Sequence, residues 1–261
     1  MEQDITLVHG DNRQELEKLP ADCADLVYID GPHNTNKSWE LPDGQIAFED
    51  RWEAPNDYFD YMEEIINRCW GKMAVNSSIF IQCPPKVSHA ITKIAMEVFG
   101  RDNFVNQLIW HKTGGGRSAT RFSEKHDVIL WFSLGKDYRF NPDAVRVPYS
   151  LTSGYAKAGI RSKKGKQYLP NPDGTVVDSV WDIPMVNPMS EERTGYPTQK
   201  PLLLMQRIIK GCSNEGNVVL DPFAGSGTTL VAAKQLKRKA IGIDNSLFAI
   251  EHCKARLERM K

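Results

Sequence analysis

The sequence predicts an α/β fold built on a mostly parallel sheet with helices on both faces. Short apolar runs alternate with stretches of helical periodicity, and the runs stop at turns rich in Gly, Pro or Asp. A length of 261 residues suits one large domain of this kind with an inserted lobe.

Ile5-Thr6-Leu7-Val8 is an apolar run followed by His9-Gly10-Asp11-Asn12, a strand ending in a turn, and residues 13–19 suit a short helix. Asp25-Leu26-Val27-Tyr28-Ile29 is a second buried strand, stopped by Asp30-Gly31-Pro32. Residues 34–55 lack clear periodicity and are rich in Asn, Pro, Asp and Trp; connectors of that length are usually functional or disordered. Tyr58, Met62, Ile65, Ile66 and Cys69 fall at helical spacing over 58–70, with Gly71 as a cap. Ser78-Ile79-Phe80-Ile81-Gln82 is a third strand, ended by Pro84-Pro85, and residues 87–99 read as a helix before Gly100. Gln107-Leu108-Ile109-Trp110 and the flexible Gly114-Gly115-Gly116 open a basic middle section, in which Asp127-Val128-Ile129-Leu130-Trp131-Phe132 is a further strand. Residues 136–194 carry many Pro, Gly and Ser and form an insertion whose shape the pattern does not give. After Pro201 the alternation returns: helix 202–211, strand Val218-Val219-Leu220, helix 228–236, strand Ala240-Ile241-Gly242-Ile243 and helix 247–260.

Charged and hydrophobic fractions of 25% and 41% belong to a globular protein, not a disordered tail. No stretch approaches the ~20 apolar residues needed to cross a bilayer, so no membrane partner is expected. Met1-Glu2-Gln3-Asp4 lacks the basic and apolar regions of a signal peptide, which makes the cytoplasm the expected location. The five cysteines are scattered, odd in number and outside metal-ligand spacing; free thiols and no metal site are expected. The formal net charge is zero but unevenly spread. Between Trp110 and Pro170 twelve basic residues face four acidic ones, interleaved with Phe122, Tyr138, Tyr149, Tyr155 and Tyr168, whereas the first seventy residues are strongly acidic. One basic lobe can grip a polyanion, and Arg117, Arg121, Lys157, Arg161, Lys163, Lys164 and Lys166 are the candidate nucleic-acid contacts.

The most specific segment is Leu220-Asp221-Pro222-Phe223-Ala224-Gly225-Ser226-Gly227-Thr228-Thr229, a strand, a glycine turn and a helix start. Ligands bind outside the carboxyl ends of strands in open α/β sheets, where glycines admit close backbone approach. The next strand ends in Gly242-Ile243-Asp244, placing an acid where ribose hydroxyls need an acceptor. A dinucleotide site would show Gly-x-Gly-x-x-Gly, and a P-loop would need Gly-Lys-Ser/Thr; the turn has neither. At this point the sequence resembles the amino-methyltransferases that act on DNA. Tyr196-Pro197-Thr198-Gln199-Lys200-Pro201 matches that family's His-Pro-Thr-Gln-Lys-Pro segment in five of six positions. Asp30-Gly31-Pro32-His33, after a strand, stands where the family carries Asp-Pro-Pro-Tyr or Asp-Pro-Pro-Phe. The order of catalytic loop, basic insertion, Lys200 segment and glycine turn is that of the β-class, circularly permuted enzymes, and the resemblance covers nearly the whole chain.

The resemblance implies a Rossmann-like methyltransferase fold with an inserted target-recognition region. It divides the chain into residues 1–110, the first part of the catalytic domain with its loop at 28–35; residues 111–195, the recognition region; and residues 196–261, the second part with the cofactor motifs. It implies S-adenosylmethionine as cofactor, held by Asp11, Asn12, Lys200, Asp221, Phe223, Gly225, Ser226, Gly227, Thr228 and Asp244, with Asp11 at its adenine and Lys200 at its methionine carboxylate. It implies DNA as substrate, with adenine N6 as the amine and cytosine N4 as the alternative. Asp30, Gly31, Pro32 and His33 then form the catalytic loop. Asp30 and the Gly31 carbonyl would accept the two amine hydrogens, and His33 or Trp39 would pack on a flipped base. Gly31 loosens the loop by ~0.5–1 kcal/mol relative to alanine, and a histidine offers a smaller stacking face than the family's aromatic. A catalytically degenerate partner subunit is therefore the alternative from another class. Enzymes of this family often dimerise, so a homodimer and a cognate restriction endonuclease are the further partners the resemblance allows.

Overall fold

The computed structural model describes residues 5–41, 44–54, 56–114, 116–150 and 152–260; Met1-Glu2-Gln3-Asp4 and the middle glycine of the 114–116 triplet lie outside them. The first half runs β1 (Ile5–His9), α1 (Asn12–Lys18), β2 (Ala24–Ile29), β3 (Lys37–Glu40), β4 (Ile46–Asp50), α2 (Asp57–Trp70), β5 (Met73–Cys83), α3 (Pro85–Phe99), β6 (Phe104–His111) and β7 (His126–Ser133). Short elements follow: β8 (Arg146–Val147), α4 (Gly154–Ala158), β9 (Ile160–Arg161), β10 (Gln167–Tyr168), β11 (Thr175–Val176) and β12 (Val180–Asp182). The chain closes with α5 (Leu202–Cys212), β13 (Val218–Asp221), α6 (Thr228–Gln235), β14 (Lys239–Asp244) and α7 (Leu247–Glu258).

Eight strands form one sheet in the order β1-β14-β13-β2-β5-β7-β6-β12. The pairs from β1 to β5 are parallel, β7 runs antiparallel to both neighbours, and β12 joins β6 in parallel. This is the mostly parallel sheet the sequence predicts. Residues 111–195 are not a separate body, because they supply β7 to its interior and β12 to its edge. The strand side chains divide by the two-residue period. Val27, Ile29, Ile79, Ile81, Val128, Leu130 and Phe132 pack with Leu16, Ile65 and Ile91 from α1, α2 and α3. Leu26, Tyr28, Phe80, Ile129 and Trp131 pack on the other face with Met205, Ile208, Val231 and Cys253 from α5, α6 and α7.

β2 leads toward β5 on one side, while β13 leads through α6 to β14 on the other. The topological switch point therefore lies between β13 and β2, where open α/β sheets form their ligand crevice. One difference from the sequence reading concerns this edge. Residues 34–55 hold the antiparallel hairpin β3–β4, with Trp39 stacked on Phe48 at a centroid distance of 6.0 Å. The strands are too short, and their alternation too brief, for periodicity to reveal them. Gly71 caps α2 as the sequence predicts, in right-handed geometry (φ −67°). Among the described residues no helix is long and apolar enough to cross a membrane. All five cysteines are free.

Gly227, where α6 begins, has φ +73°, and a Cβ there would stand 2.2 Å from the Cys253 Sγ of α7. Gly227→Ala is expected to cost ~2–5 kcal/mol in urea unfolding, combining left-handed strain with overpacking. Gly216→Ala, also at positive φ (+81°) but facing open space, should cost ~1–2 kcal/mol. Equal losses would refute the close α6–α7 approach as the reason for Gly227.

Candidate active site

The parallel register brings four acids to one edge. His9 pairs with Asp244, Asp221 with Gly242, and Leu220 with Val27, so Asp11, Asp244, Asp221 and Asp30 all emerge at strand carboxyl ends. They border a cavity of about 660 Å³, a size that suits a small-molecule ligand. All four predicted catalytic-loop residues, Asp30, Gly31, Pro32 and His33, line it. So do Asp11, Asn12, Lys200, Asp221, Phe223, Gly225, Ser226, Thr228 and Asp244. Gly227 does not: its positive φ turns the chain into α6, and it faces α7. None of the seven predicted nucleic-acid cations lines the cavity; all are exposed.

The glycine turn is organised by its acids. The Phe223 amide donates to Asp221 at 2.9 Å, and the amides of Gly225 and Ser246 donate to the two oxygens of Asp244 at 2.8 and 2.9 Å. Burial pushes the Asp221 carboxyl up to about 7 against the pull of hydrogen bonds from Thr229 and Phe223, with Asp30 and Asp244 adding to the rise. Burial also raises Asp244, opposed by its two amide donors. Asn12 donates to the Pro222 carbonyl at 3.3 Å and accepts from the Tyr61 hydroxyl at 3.0 Å, so its amide ties the turn after β1 to the turn after β13. Asp11 caps α1 and binds the Arg13 guanidinium, whose hydrogen bond lowers its carboxyl.

The catalytic loop departs from the sequence expectation in charge pairing. Lys200, expected beside a cofactor carboxylate, forms an ion pair with Asp30, and His33 Nε2 lies 3.3 Å from the other Asp30 oxygen. Burial alone would raise the Asp30 carboxyl; Lys200 and His33 outweigh it and bring it down to about 2. Asp30 is thus an ionised, acceptor-only group in a half-buried position. Gly31 is closely packed: a Cβ there would stand 3.2 Å from both Met62 Sδ and Phe223 Cζ, which would have to shift by a few tenths of an ångström.

Sequence reading missed Asp50, the last residue of β4, which is 1% exposed. Its carboxylate accepts from the amides of His33, Asn34 and Thr35 at 3.2, 3.1 and 2.8 Å, from the Thr35 hydroxyl at 2.6 Å and from the Trp52 indole at 2.9 Å. Successive backbone amides form a nest for an anion, and here the anion is a side chain that fixes the loop. Arg256 was also missed; its guanidinium holds the Ser226 carbonyl and the Thr228 hydroxyl, both at 3.0 Å. No local pattern marks either residue, since each acts across a fold-level contact. Tyr196 stacks with Phe248 at 6.3 Å and lines the cavity, with burial raising its hydroxyl.

The basic section divides in two. Lys112 pairs with buried Asp127 at 2.6 Å, in a chain that runs through Gln82 to the Tyr28 hydroxyl. Lys125 and Lys136 hold backbone carbonyls, Arg139 holds Asn217, and Arg146 holds Asp143 and Gly174. These five cations are structural, and none of them is among the seven candidate nucleic-acid contacts.

Asp50→Ala should remove about 3 kcal/mol of stability by stranding loop donors, and should speed amide exchange at 33–35 while leaving β2 protected. Unchanged exchange there would mean the loop holds itself. Asp221 gives a pH test. Its folded value, about 7, exceeds the ordinary 3.8, so the folded state binds more protons between them and stability falls as pH rises through that window. Asp221→Asn should flatten the loss between pH 4 and 8; parallel curves for wild type and variant would contradict a protonated Asp221.

The family model for DNA methylases (N6_N4_Mtase) matches residues 24–255. The chain is 31% identical over 256 residues to the Type II methyltransferase M.HpaI of Haemophilus parainfluenzae, covering 98% of this chain and 74% of that one. It is 32% identical over 241 residues to the DNA adenine methyltransferase YhdJ of Escherichia coli (strain K12), covering 92% and 78%. Among solved structures it is similar to the M1.HpyAVI–SAM complex (TM-score 0.62, 23% identity, 97% and 98% covered) and to the cytosine-N4-specific PvuII DNA methyltransferase (TM-score 0.70, 15% identity, 97% and 88% covered). Those two likenesses carry the fold alone, a Rossmann-like sheet with flanking helices. A family match over most of the chain, on a fold that brings the loop after β2 and the glycine turn into one cavity, makes this chain a member of the DNA methylase family.

Proposed function

We propose that this DNA methylase transfers a methyl group from S-adenosylmethionine to adenine N6 of DNA. The observation that carries the reading is Asp30, ionised by Lys200 and His33 and set at the switch point in the same cavity as the glycine turn. The cavity fits the cofactor. It offers acids at the ends of β13 and β14, a phenyl face from Phe223 and a rim at Asp11, and its acidic lining complements a cation. When bound, S-adenosylmethionine supplies an electrophilic methyl on a sulfonium. Asp244 would accept from the ribose hydroxyls, and Asp11 would lie toward the adenine.

An exocyclic amine is a poor nucleophile because its lone pair is delocalised into the ring. Asp30 and the Gly31 carbonyl accept hydrogen bonds from its two N–H groups, which localises the pair and aligns it for in-line transfer; the nitrogen displaces a neutral thioether and gives up one of its two protons. Lys200 serves as the counter-ion that keeps Asp30 charged, and Asp50 holds the loop that carries it. Trp39 and His33, on the cavity wall, provide the faces on which a flipped base packs. DNA is bound by the exposed cations of residues 111–195, and residues 1–110 and 196–261 carry the catalytic loop and the cofactor motifs on a sheet that β7 and β12 complete. The relative named as a DNA adenine methyltransferase, at 32% identity, favours adenine over cytosine. The Type II names of other relatives favour service in a cytoplasmic restriction–modification pair.

Purified protein incubated with labelled S-adenosylmethionine and unmethylated genomic DNA should yield N6-methyladenine on nucleoside mass spectrometry. Asp30→Ala should abolish product while retaining cofactor binding by calorimetry. N4-methylcytosine would overturn the choice of base and keep the mechanism. No product from cofactor-bound wild type would overturn the proposal in favour of a degenerate subunit.

A further inference from the structure

Five of the twelve basic residues of the middle section are tied to the protein's own groups, so the cations available to a polyanion concentrate elsewhere. Four of the seven that remain, Arg161, Lys163, Lys164 and Lys166, belong to the ribbon β9–β10. The ribbon is antiparallel, with Arg161 opposite Gln167 and Ile160 opposite Tyr168. A tight turn closes it: the Ser162 amide donates to the Lys166 carbonyl at 2.8 Å, and the Gly165 amide to the Ser162 carbonyl at 2.9 Å, with Gly165 at φ +80°. Its base is fixed by the Tyr155 hydroxyl on the Leu169 carbonyl at 2.9 Å.

Directly opposed residues in an antiparallel pair point to the same face. Arg161 and Gln167 therefore stand side by side on one face, both exposed, and among the described residues neither side chain has a hydrogen-bond or ionic partner. The other face carries Ile160 and Tyr168, with the Lys166 ammonium 5.2 Å from the Tyr168 ring centroid. This alternation separates the chemistry: one face offers a guanidinium and a carboxamide, and the tip offers lysines. A two-stranded ribbon fits the major groove of duplex DNA. There an arginine reads guanine O6 and N7 as a bidentate pair, and a glutamine reads adenine N6 and N7.

We propose that β9–β10 is the sequence-reading element of this methylase, entering the major groove with Arg161 on a guanine and Gln167 on an adenine, while Lys163 and Lys164 hold the flanking phosphates. The proposal rests on the DNA-methylation reading above and deepens it by naming the residues that choose the site. Backbone contacts would position the ribbon, and the paired side chains would specify the sequence.

The test is a methylation profile over a whole genome, read by long-read sequencing after incubation in vitro with wild type, Arg161→Ala, Gln167→Ala or the double variant Lys163→Ala/Lys164→Ala. All positions are exposed, so folding is undisturbed, and melting curves verify it. The wild-type recognition sequence should contain a G·C pair and an A·T pair that lose discrimination in Arg161→Ala and Gln167→Ala respectively, by roughly tenfold to a hundredfold. The lysine variant should keep the sequence, bind weakly, and show a log–log salt slope smaller by roughly two. Unchanged profiles in both single variants, or uniform loss of rate with unchanged sequence preference, would overturn the assignment of Arg161 and Gln167. Absence of methylation by wild type would instead strike the function proposed above.

Discussion

The site depends on one pairing, the parallel contact of β13 with β2. Val219 lies against Leu26 and Leu220 against Val27, and the Val218 amide adds a hydrogen bond of 2.8 Å to the Asp25 carboxylate across 193 residues of sequence. This contact sets the glycine turn beside the catalytic loop. A slip of one residue would invert every side chain on the strand, and the two opposed cores on either face make that slip prohibitive. The position of Asp30 relative to Asp221 is thus dictated by packing that never touches a ligand.

The same edge concentrates negative charge in a buried volume, and the protein resolves the repulsion unequally. Asp30 is given an ammonium and an imidazole and stays ionised. Asp221 is given neutral donors and is driven up to about 7. Two carboxyl groups of one cavity thereby titrate in different ranges, Asp30 staying ionised through neutral pH and Asp221 changing its proton state near it. The split follows from the neighbours that each strand end meets, and it accounts for Lys200 being spent on the loop instead of the glycine turn.

Much of this was legible in the sequence because it is local. Buried parallel strands write themselves as apolar runs, and a turn that must pass close to a ligand writes itself as glycines; both showed at 25–29 and 221–228. The hairpin at β3–β4 was not legible, since two short strands carry too little alternation to stand out from a loop. Asp50 and Arg256 were invisible for a different reason: their partners lie on other elements, at the loop after β2 and at the turn before α6. Gly31 is instructive in the opposite direction. It reads as a departure from the family pattern, and the structure packs it closely against Met62 and Phe223. In the basic section a count of cations says little by itself, because a lysine that seals Asp127 looks the same in a sequence as one that faces solvent.

The pairing of β8 with β11 sets Val147 directly opposite Thr175, so everything between them leaves the body of the protein and returns to nearly the same point. Gly174, at φ +97°, permits this closure because a Cβ there would strike the Val147 carbonyl. An excursion with adjacent ends can be lengthened, shortened or exchanged at the cost of loop closure alone, which grows slowly with length. The fold thus separates what must be inherited intact from what is free to diverge. A lineage keeping this sheet could replace a single stem-loop of polypeptide and leave the cavity as it is.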